Sequence, residues 1–236
     1  MHDQIKIFAD GANLKSLLEL NQDPTISGLT TNPTLMRKAG ITDYENFSKE
    51  LLAHVTEKPV SLEVFSDEFS EMKIQAEKIS SWGNNVYVKI PITNSKRESS
   101  QPLITELSAQ GIKLNVTAIL TQRQVEQTLE SLAKAQSPAI ISLFAGRIAD
   151  TGVDPTDIMR NAALLTSQYK SVELLWASVR EVFNIQQAIN CECDIVTVPP
   201  DILAKARKMF KQNLEDLSLE TVQMFYQDAL NAGYSI

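Results

Sequence analysis

A lysine and two carboxylates stand inside or at the end of short apolar runs of this sequence. Lys89 lies within VYVKIP, Glu63 lies within VSLEVF, and Asp10 ends IKIFAD. Removing an ammonium group from water is costly unless the group is paired or neutralised, and a neutral amine can attack a carbonyl carbon to form a Schiff base. A carboxylate beside such a lysine can move protons. Together these residues predict a catalytic site built on Lys89, Glu63 and Asp10.

Each of the three residues also has a structural interpretation. The stem of Lys89 could pack at the end of a strand while its charged end reaches water. Asp10 directly precedes Gly11 and could cap a turn, and Glu63 could form a structural ion pair. Each residue alone supports both interpretations, and their joint occurrence favours the catalytic one.

Hydroxyl and amide side chains gather near the ends of other apolar runs. They are Thr30, Thr31, Asn32, Asn115, Thr117, Ser142 and Ser178. Residues two apart on a strand share a face, which predicts four pairs of neighbours. The pairs are Asn115 with Thr117, Tyr87 with Lys89, Ser142 with Phe144, and Trp176 with Ser178. We therefore expect these side chains to converge on the lysine.

Two arginines follow two of these apolar runs. Arg147 comes after the run at 139–145, and Arg180 comes after the run at 172–178. Arg147 and Arg180, with the hydroxyl of Ser178, could bind a phosphate through charge-assisted hydrogen bonds. The alternative is that both arginines form surface ion pairs, which add little stability.

Eight β-rich apolar runs recur along the chain and must position these side chains. They cover residues 5–10, 26–31, 60–65, 86–91, 113–119, 139–145, 172–178 and 194–199. Their mean spacing of about 27 residues is close to the roughly 30 residues of a strand–helix–strand unit. Amphipathic stretches at 68–80 and 121–135 lie between them, and Pro155 suits the first turn of another helix. The pattern predicts an α/β fold, a closed (β/α)8 barrel of the TIM type.

No linker-like composition divides the chain, so we predict a single barrel domain over residues 1–236. Helices are predicted at 204–209 and at 215–232, after the eighth strand. The second is more than one barrel needs, and we expect it to pack across an entrance or on a neighbouring subunit. The carboxyl ends of the strands would carry the active site.

Composition and charge exclude several classes of partner. The chain has 236 residues, with 22 basic and 29 acidic side chains and a formal net charge of −7. This acidic balance argues against nucleic acid as a partner. No segment approaches 18 consecutive apolar residues, and no basic region precedes an apolar stretch at the N-terminus. We therefore expect no membrane partner and a cytoplasmic location.

The common cofactor and metal motifs are also missing from the sequence. No glycines fit the dinucleotide loop, the Walker A loop or the nucleophile elbow. His2 and His54 are too far apart for H-E-x-x-H, and a zinc site would need four ligands. Cys191 and Cys193 are expected to be reduced structural thiols. Lysine, carboxylate and hydroxyl chemistry remains, with no metal site.

Five short segments resemble, in order, the signature segments of the transaldolase family. TTNPTL at 30–35 resembles the family's TTNPS-type signature, and VKIP at 88–91 resembles its Schiff-base lysine strand. NVT at 115–117, SLFAGR at 142–147 and ASVR at 177–180 match further family segments. The length resembles the short-chain subfamily, which includes fructose-6-phosphate aldolases and commonly forms pentameric rings paired as decamers. The resemblance thus implies a homo-oligomer, sugar-phosphate substrates, and no metal or organic cofactor.

The resemblance also implies a role for each candidate residue. Lys89 would form the imine with the C2 carbonyl of a ketose phosphate, and Asp10 would act as acid and base on the C4 hydroxyl. Glu63 and Thr117 would position a water that carries protons to and from the imine. The implied substrate-binding residues are Asn32, Asn115, Ser142 and Phe144 for the sugar, and Arg147, Ser178 and Arg180 for the phosphate.

Two positions separate the transferase branch of the family from its aldolase branch. The chain has Glu63 and Phe144, as the transferases do, where the aldolases carry Gln and Tyr. The resemblance therefore implies a transaldolase of the pentose phosphate pathway. The alternatives are a fructose-6-phosphate aldolase and a non-catalytic barrel that binds phosphosugars. The chain departs from the family at Gly11, Leu143 and Val179, which leaves the chemistry in place but makes the shape of the pocket and the turnover less predictable.

Overall fold

Eight parallel strands close into a barrel in the computed structural model, which describes residues 4–236. The strands are β1 (Lys6–Asp10), β2 (Gly28–Thr30), β3 (Val60–Glu63), β4 (Val86–Pro91), β5 (Leu114–Ile119), β6 (Ala139–Leu143), β7 (Val172–Trp176) and β8 (Ile195–Val198). Each strand pairs with the next along the chain, and β1 pairs with β8 to close the ring. The predicted (β/α)8 barrel is confirmed.

Helices connect the strands and cover the outside of the barrel. They are α1 (Leu14–Asn21), α2 (Pro33–Lys38), α3 (Tyr44–His54), α4 (Phe69–Ser80), α5 (Gln101–Ala109), α6 (Gln122–Leu132), α7 (Ala145–Ala149), α8 (Thr156–Thr166), α9 (Phe183–Asn190), α10 (Pro200–Met209) and α11 (Leu214–Ala232). The helices predicted at 68–80 and 121–135 correspond to α4 and α6. Within residues 4–236, no helix is long and apolar enough to cross a membrane.

Alternation along each strand divides the apolar residues into two layers. One set packs against the helices and includes Val88 and Ile90 of β4. The other set points into the barrel and consists of Phe8, Ile140, Leu175, Ala177 and Ile195, with Tyr87 and Phe144 packed against it. The interior is therefore a filled core below the carboxyl ends of the strands.

Strands β6 and β7 each end two residues earlier than the apolar runs suggest. β6 ends at Leu143 and β7 ends at Trp176. Trp176 is fully buried in the layer that faces the helices. Ser178 has left the strand and has a φ of +67°, in the left-handed region. The prediction that Trp176 and Ser178 share a strand face is therefore wrong, because alternation stops before Ser178.

The C-terminal helix is present, and it leaves most of its apolar side chains exposed. Helix α11 contains no buried residue. Its exposed apolar side chains are Leu214, Leu219, Val222, Met224, Phe225, Tyr226 and Leu230, followed by Tyr234 and Ile236. A helix in water gains most of its stability from packing an apolar face, so this one lacks its partner here.

The two cysteines near the start of β8 are free and buried. Burial raises the pKa of both the Cys191 and the Cys193 thiol, which keeps them protonated and unreactive. This agrees with the prediction of structural thiols. His2 lies outside the described residues.

Candidate active site

Lys89 points into the barrel from the middle of β4 and is only 6% exposed. Its Nζ atom lies 2.9 Å from Oε2 of Glu63 and donates a hydrogen bond of 2.9 Å to the carbonyl oxygen of Thr31. Glu63 is its register partner on β3, so strand pairing itself brings the two charges together. The charged end does not reach for water, which removes the structural interpretation of Lys89 as a strand-end lysine.

Asp10 ends β1 and shares this pocket. Its Oδ1 accepts a hydrogen bond of 2.9 Å from the hydroxyl of Thr30, its register partner on β2. Burial raises the pKa of Asp10, while the positive charge of Lys89 and the Thr30 hydrogen bond act in the opposite direction. The charge of Glu63 also raises the pKa of Asp10, so both charges of the ion pair act on this carboxyl group.

Thr117 supplies a buried hydroxyl without a partner. It lies on β5 in register with Pro91, two residues beyond Lys89, and is 1% exposed. Its Oγ1 makes no hydrogen bond to any of residues 4–236. A buried hydroxyl is normally satisfied by protein or by ordered water, so this one can hold a water or a substrate hydroxyl.

Asn115 and Ser142 form a hydrogen-bonded chain beneath the lysine. Ser142 donates to Oδ1 of Asn115 at 2.7 Å, and Nδ2 of Asn115 donates to Oγ of Ser61 at 3.0 Å. Asn115 is the register partner of Lys89 on β5 and is fully buried. The chain ties β6, β5 and β3 together and leaves one amide proton of Asn115 for a further bond.

Asn32 and Phe144 begin the helices that follow β2 and β6. Oδ1 of Asn32 caps α2 by accepting from the backbone N–H of Leu35 at 3.0 Å, which leaves its amide group for a ligand. Phe144 is half-buried against the barrel interior, and the guanidinium of Arg147 lies 5.9 Å from its ring centre.

The arginines lie at the opposite, exposed side of the site. Arg180 is held by Asp150, with an Nη2 to Oδ2 distance of 2.6 Å and two bonds of 3.2 Å from Nε. The Arg180 hydrogen bond lowers the pKa of Asp150, and the charge of Arg147 contributes as well. Arg180 therefore forms the surface ion pair of the alternative interpretation, and Arg147 acts on the same carboxylate only electrostatically.

Gly146 allows the chain after β7 to approach this side of the site. A Cβ atom on Gly146 would lie 1.6 Å from the carbonyl oxygen of Ser178 and 3.1 Å from its Oγ. Only glycine fits there. The contact joins the start of α7 to the turn that carries Ser178 and Arg180.

The comparisons with known proteins agree with this arrangement. The family model described as "Transaldolase/Fructose-6-phosphate aldolase" matches residues 7–236. The chain is 33% identical to a probable transaldolase of Rhizobium meliloti (strain 1021), over 98% of this chain and 100% of that protein. It is 33% identical to a probable transaldolase of Nitrosopumilus maritimus (strain SCM1), over 92% of each chain. The chain belongs to the transaldolase/fructose-6-phosphate aldolase family.

The departures from the family pattern lie mostly outside the pocket. Leu143 and Val179 are buried in the main apolar core and do not belong to the set of residues that fills the barrel interior. Gly11 follows Asp10, and a Cβ there would meet nothing nearer than 3.6 Å. Leu143 is the last residue of β6, where alternation with the interior residue Ser142 turns it outward, whereas Val179 lies beyond the end of β7.

Four residues around the site were not singled out in the sequence. Ser61 and Thr197 are interior hydroxyls on β3 and β8, and their signal is a lone polar residue in an apolar strand. Tyr44 donates its hydroxyl proton to the carbonyl oxygen of Glu63 at 2.8 Å. Neither Tyr44 nor Asp150 has a signal in the sequence, because their partners come from distant segments.

A cavity of about 790 Å³ opens at the other end of the barrel and is separate from this site. Residues at the starts of strands line it, among them Lys6, Glu173 and Asp194. Lys6 and Glu173 already pair with each other. The position of the active site in this family member therefore rests on its buried polar groups and not on cavity size.

Proposed function

We propose that this protein is a transaldolase that acts in the pentose phosphate pathway. It would move a dihydroxyacetone unit from sedoheptulose 7-phosphate or fructose 6-phosphate to glyceraldehyde 3-phosphate or erythrose 4-phosphate, without a metal or an organic cofactor. One observation carries the proposal: a buried lysine, 2.9 Å from a carboxylate, shares its pocket with a second carboxylate in a chain of this family.

The chemistry would begin at Lys89. Glu63 is close enough to take the ammonium proton, and the freed amine would add to the C2 carbonyl of the ketose phosphate. Loss of water then gives the imine. A water held by Glu63 and the unpartnered hydroxyl of Thr117 would carry the protons for these steps.

Asp10 would act on the next bond. It would accept the proton of the C4 hydroxyl as the C3–C4 bond breaks, which releases an aldose phosphate and leaves an enamine on Lys89. The raised pKa of Asp10 suits a group that must accept and return a proton. Attack of the enamine on the second aldose reverses these steps and completes the transfer.

The remaining residues would bind the substrate. Asn32 and Asn115 each keep an amide proton that the protein does not use, and Ser142 lies beside Asn115. Arg147, Ser178 and Arg180 would hold the phosphate through charge-assisted hydrogen bonds. Asp150 must then share Arg180 with the phosphate.

Phe144 favours transfer over release of the three-carbon unit. Its ring carries no hydroxyl that could protonate the enamine, whereas a tyrosine there would supply one. An enamine that is not protonated waits for the acceptor aldose. Release of free dihydroxyacetone, as in a fructose-6-phosphate aldolase, is the second candidate function.

The first experiment measures release of glyceraldehyde 3-phosphate from fructose 6-phosphate, with and without erythrose 4-phosphate. Release that requires erythrose 4-phosphate is the expected result and identifies a transaldolase. Equal release without it identifies an aldolase. No release from folded protein, together with binding of fructose 6-phosphate, identifies a non-catalytic phosphosugar-binding barrel.

We further propose that the chain forms one cytoplasmic domain over residues 1–236 and assembles as a homo-oligomer, a pentamer or decamer, through α11. The helix and the tail after it carry four acidic residues and no basic one, with the apolar side chains left exposed. We propose that a second copy of the same chain covers the exposed apolar face of α11, because such a copy is always present wherever the protein is. Light scattering should show an oligomer for the whole chain and a smaller species for a chain ending at residue 213. A monomeric whole chain would contradict the assembly.

A further inference from the structure

Thr197 on β8 lies close to the proposed acid and base but touches it only through another residue. Its Oγ1 lies 2.5 Å from Oγ1 of Thr30, which in turn donates to Oδ1 of Asp10 at 2.9 Å. We propose that Thr197 is a positioning residue that holds the Asp10 carboxylate through Thr30. This inference rests on the proposed function, in which Asp10 handles the C4 proton.

Donor counting gives the chain of hydrogen bonds one direction. A hydroxyl has one proton, and an ionised carboxylate can only accept. While Asp10 is ionised, Thr30 donates its proton to Asp10, so the proton between the two threonines comes from Thr197. With its oxygen engaged by Thr197, the Thr30 hydroxyl has no reason to rotate away from the carboxylate.

The three residues come from three strands that barrel closure brings together. Asp10 is in register with Thr30, and Phe8, two residues earlier on β1, is in register with Thr197. The two hydroxyls thus meet across β1. The sequence separation of 167 residues between them explains why no local pattern announces the contact.

The hydroxyls of Thr30 and Thr197 are withdrawn from bulk solvent. Thr30 is 4% and Thr197 is 6% exposed. The ring of Phe8, which is in register with both Gly28 and Thr197, packs against Gly28. A Cβ atom on Gly28 would lie only 2.6 Å from this ring. A hydrogen bond to a charged group is stronger in such an environment than in water. Loss of the Thr197 hydroxyl should therefore weaken the hydrogen bond from Thr30 to Asp10 measurably.

The other charges near Asp10 do not replace this support. Lys89 and Glu63 both act on Asp10 electrostatically, but the Lys89 ammonium is already bonded to Glu63 and to the Thr31 carbonyl. Among residues 4–236, Asp10 receives its side-chain hydrogen bond from Thr30. The carboxylate is thus fixed through Oδ1, and Oδ2 is left to accept the substrate proton while the threonine protons stay in place.

The test compares Thr197→Val with Thr197→Ser, because serine keeps the hydroxyl and valine keeps the shape. Thr128→Val is the matched control, since Thr128 is a fully buried threonine of α6 whose hydroxyl bonds a backbone carbonyl. Two activities are measured on each variant. One is borohydride trapping of the imine with dihydroxyacetone, which has no C4 group, and the other is acceptor-dependent cleavage of fructose 6-phosphate.

Thr197→Val should trap dihydroxyacetone like the unmodified protein but cleave fructose 6-phosphate roughly five- to tenfold more slowly, with KM unchanged. The acid limb of its pH profile should move to higher pH, because a weaker hydrogen bond to the carboxylate raises the pKa of Asp10. Thr197→Ser and Thr128→Val should retain normal cleavage.

Unchanged cleavage and an unchanged pH profile in Thr197→Val would overturn the inference. Failure of the unmodified protein to trap dihydroxyacetone would instead count against the proposed function. If Thr197→Val does not fold, the pair Thr197→Ala and Thr197→Ser replaces it, since these differ only in the hydroxyl. Equal cleavage by that pair would also overturn the role of Thr197.

Discussion

The candidate site has a lysine side, with Lys89, Glu63 and Asp10, and an arginine side, with Arg147, Arg180 and Asp150. The pKa of the aspartate is shifted in opposite directions on the two sides. On the lysine side, burial raises the pKa of Asp10. On the arginine side, a hydrogen bond from Arg180 lowers the pKa of Asp150, which is exposed to solvent. Desolvation dominates the pKa of the first carboxyl, and the hydrogen bond from Arg180 dominates the pKa of the second. The buried side is therefore suited to proton transfer and covalent chemistry, and the exposed side to binding an anion that must enter and leave.

The largest effect is expected from Lys89→Met, which removes the amine from the buried side. Activity should fall by roughly a thousandfold or more, and borohydride trapping should be lost, because no other group can form the imine. Lys113→Met is the matched control, since Lys113 lies just before β5 and its amine bonds the Asn84 carbonyl. A trapped adduct in Lys89→Met would show that the imine forms on another lysine. It would contradict the assignment of covalent chemistry to the buried side of the site.

Asp10→Asn should lower activity by roughly a hundred- to a thousandfold and at the same time stabilise the protein at neutral pH. The folded-state pKa of Asp10 lies above its ordinary value of 3.8. The folded chain therefore binds this proton more tightly than the unfolded chain, and stability declines as the pH rises from 3.8 through the folded-state pKa. Asparagine carries no charge and escapes that decline.

Thermal unfolding between pH 4 and pH 8 checks this sign. The melting temperature of Asp10→Asn should exceed that of the unmodified protein at pH 7, and the difference should shrink as the pH is lowered. A lower melting temperature for Asp10→Asn across the whole range would show that pairing, and not burial, dominates the lysine side.

Gly146→Ala should disturb the arginine side alone. The added Cβ would overlap the Ser178 carbonyl oxygen at 1.6 Å, so the turn that carries Arg180 must move. We expect a loss of roughly 1–3 kcal/mol of stability and a higher KM for phosphorylated substrates. Gly11→Ala is the control on the lysine side, where the nearest atom is 3.6 Å away. Equal damage from both substitutions would remove the contrast between the two sides.

The smallest effects should come from the exposed ion pair. Arg180→Met should raise KM for phosphorylated acceptors by roughly tenfold with little change in kcat, because a charged hydrogen bond to phosphate is lost. Asp150→Asn should lower the same KM by a few-fold, since it frees Arg180. Unphosphorylated glyceraldehyde should respond to neither substitution, and a parallel change with glyceraldehyde would argue against a phosphate contact.

Strand alternation predicted the buried side of the site well. It placed Lys89 in the interior, and the register that strand pairing imposes then set it beside Glu63. The same rule failed at Ser178, because the positive φ there lies outside any strand. Alternation also explains why Leu143, at the end of β6, belongs to the outer apolar layer. Strand alternation predicts the direction of a side chain only for residues that lie within the strand.

The partners of the site residues could not be predicted, because they depend on barrel closure and loop geometry. The Asp150 contact to Arg180 joins two loops across 30 residues. Thr197 reaches Thr30 only because β8 lies beside β1. No periodicity in the chain encodes either distance.

The sequence by itself determined the barrel and the chemistry available to this protein. Eight apolar runs at regular spacing, alternating with amphipathic helices, bury their surfaces in a parallel sheet covered by helices, and eight strands suit a closed barrel. A lysine in such a run must meet a charge or lose its own. Only the tertiary structure decided the surroundings of the three carboxylates. Glu63 pairs with Lys89, Asp10 is held by threonine hydroxyls, and Asp150 is exposed to water. Those choices depend on register and closure, since groups remote in sequence interact only after the last strand has joined the first.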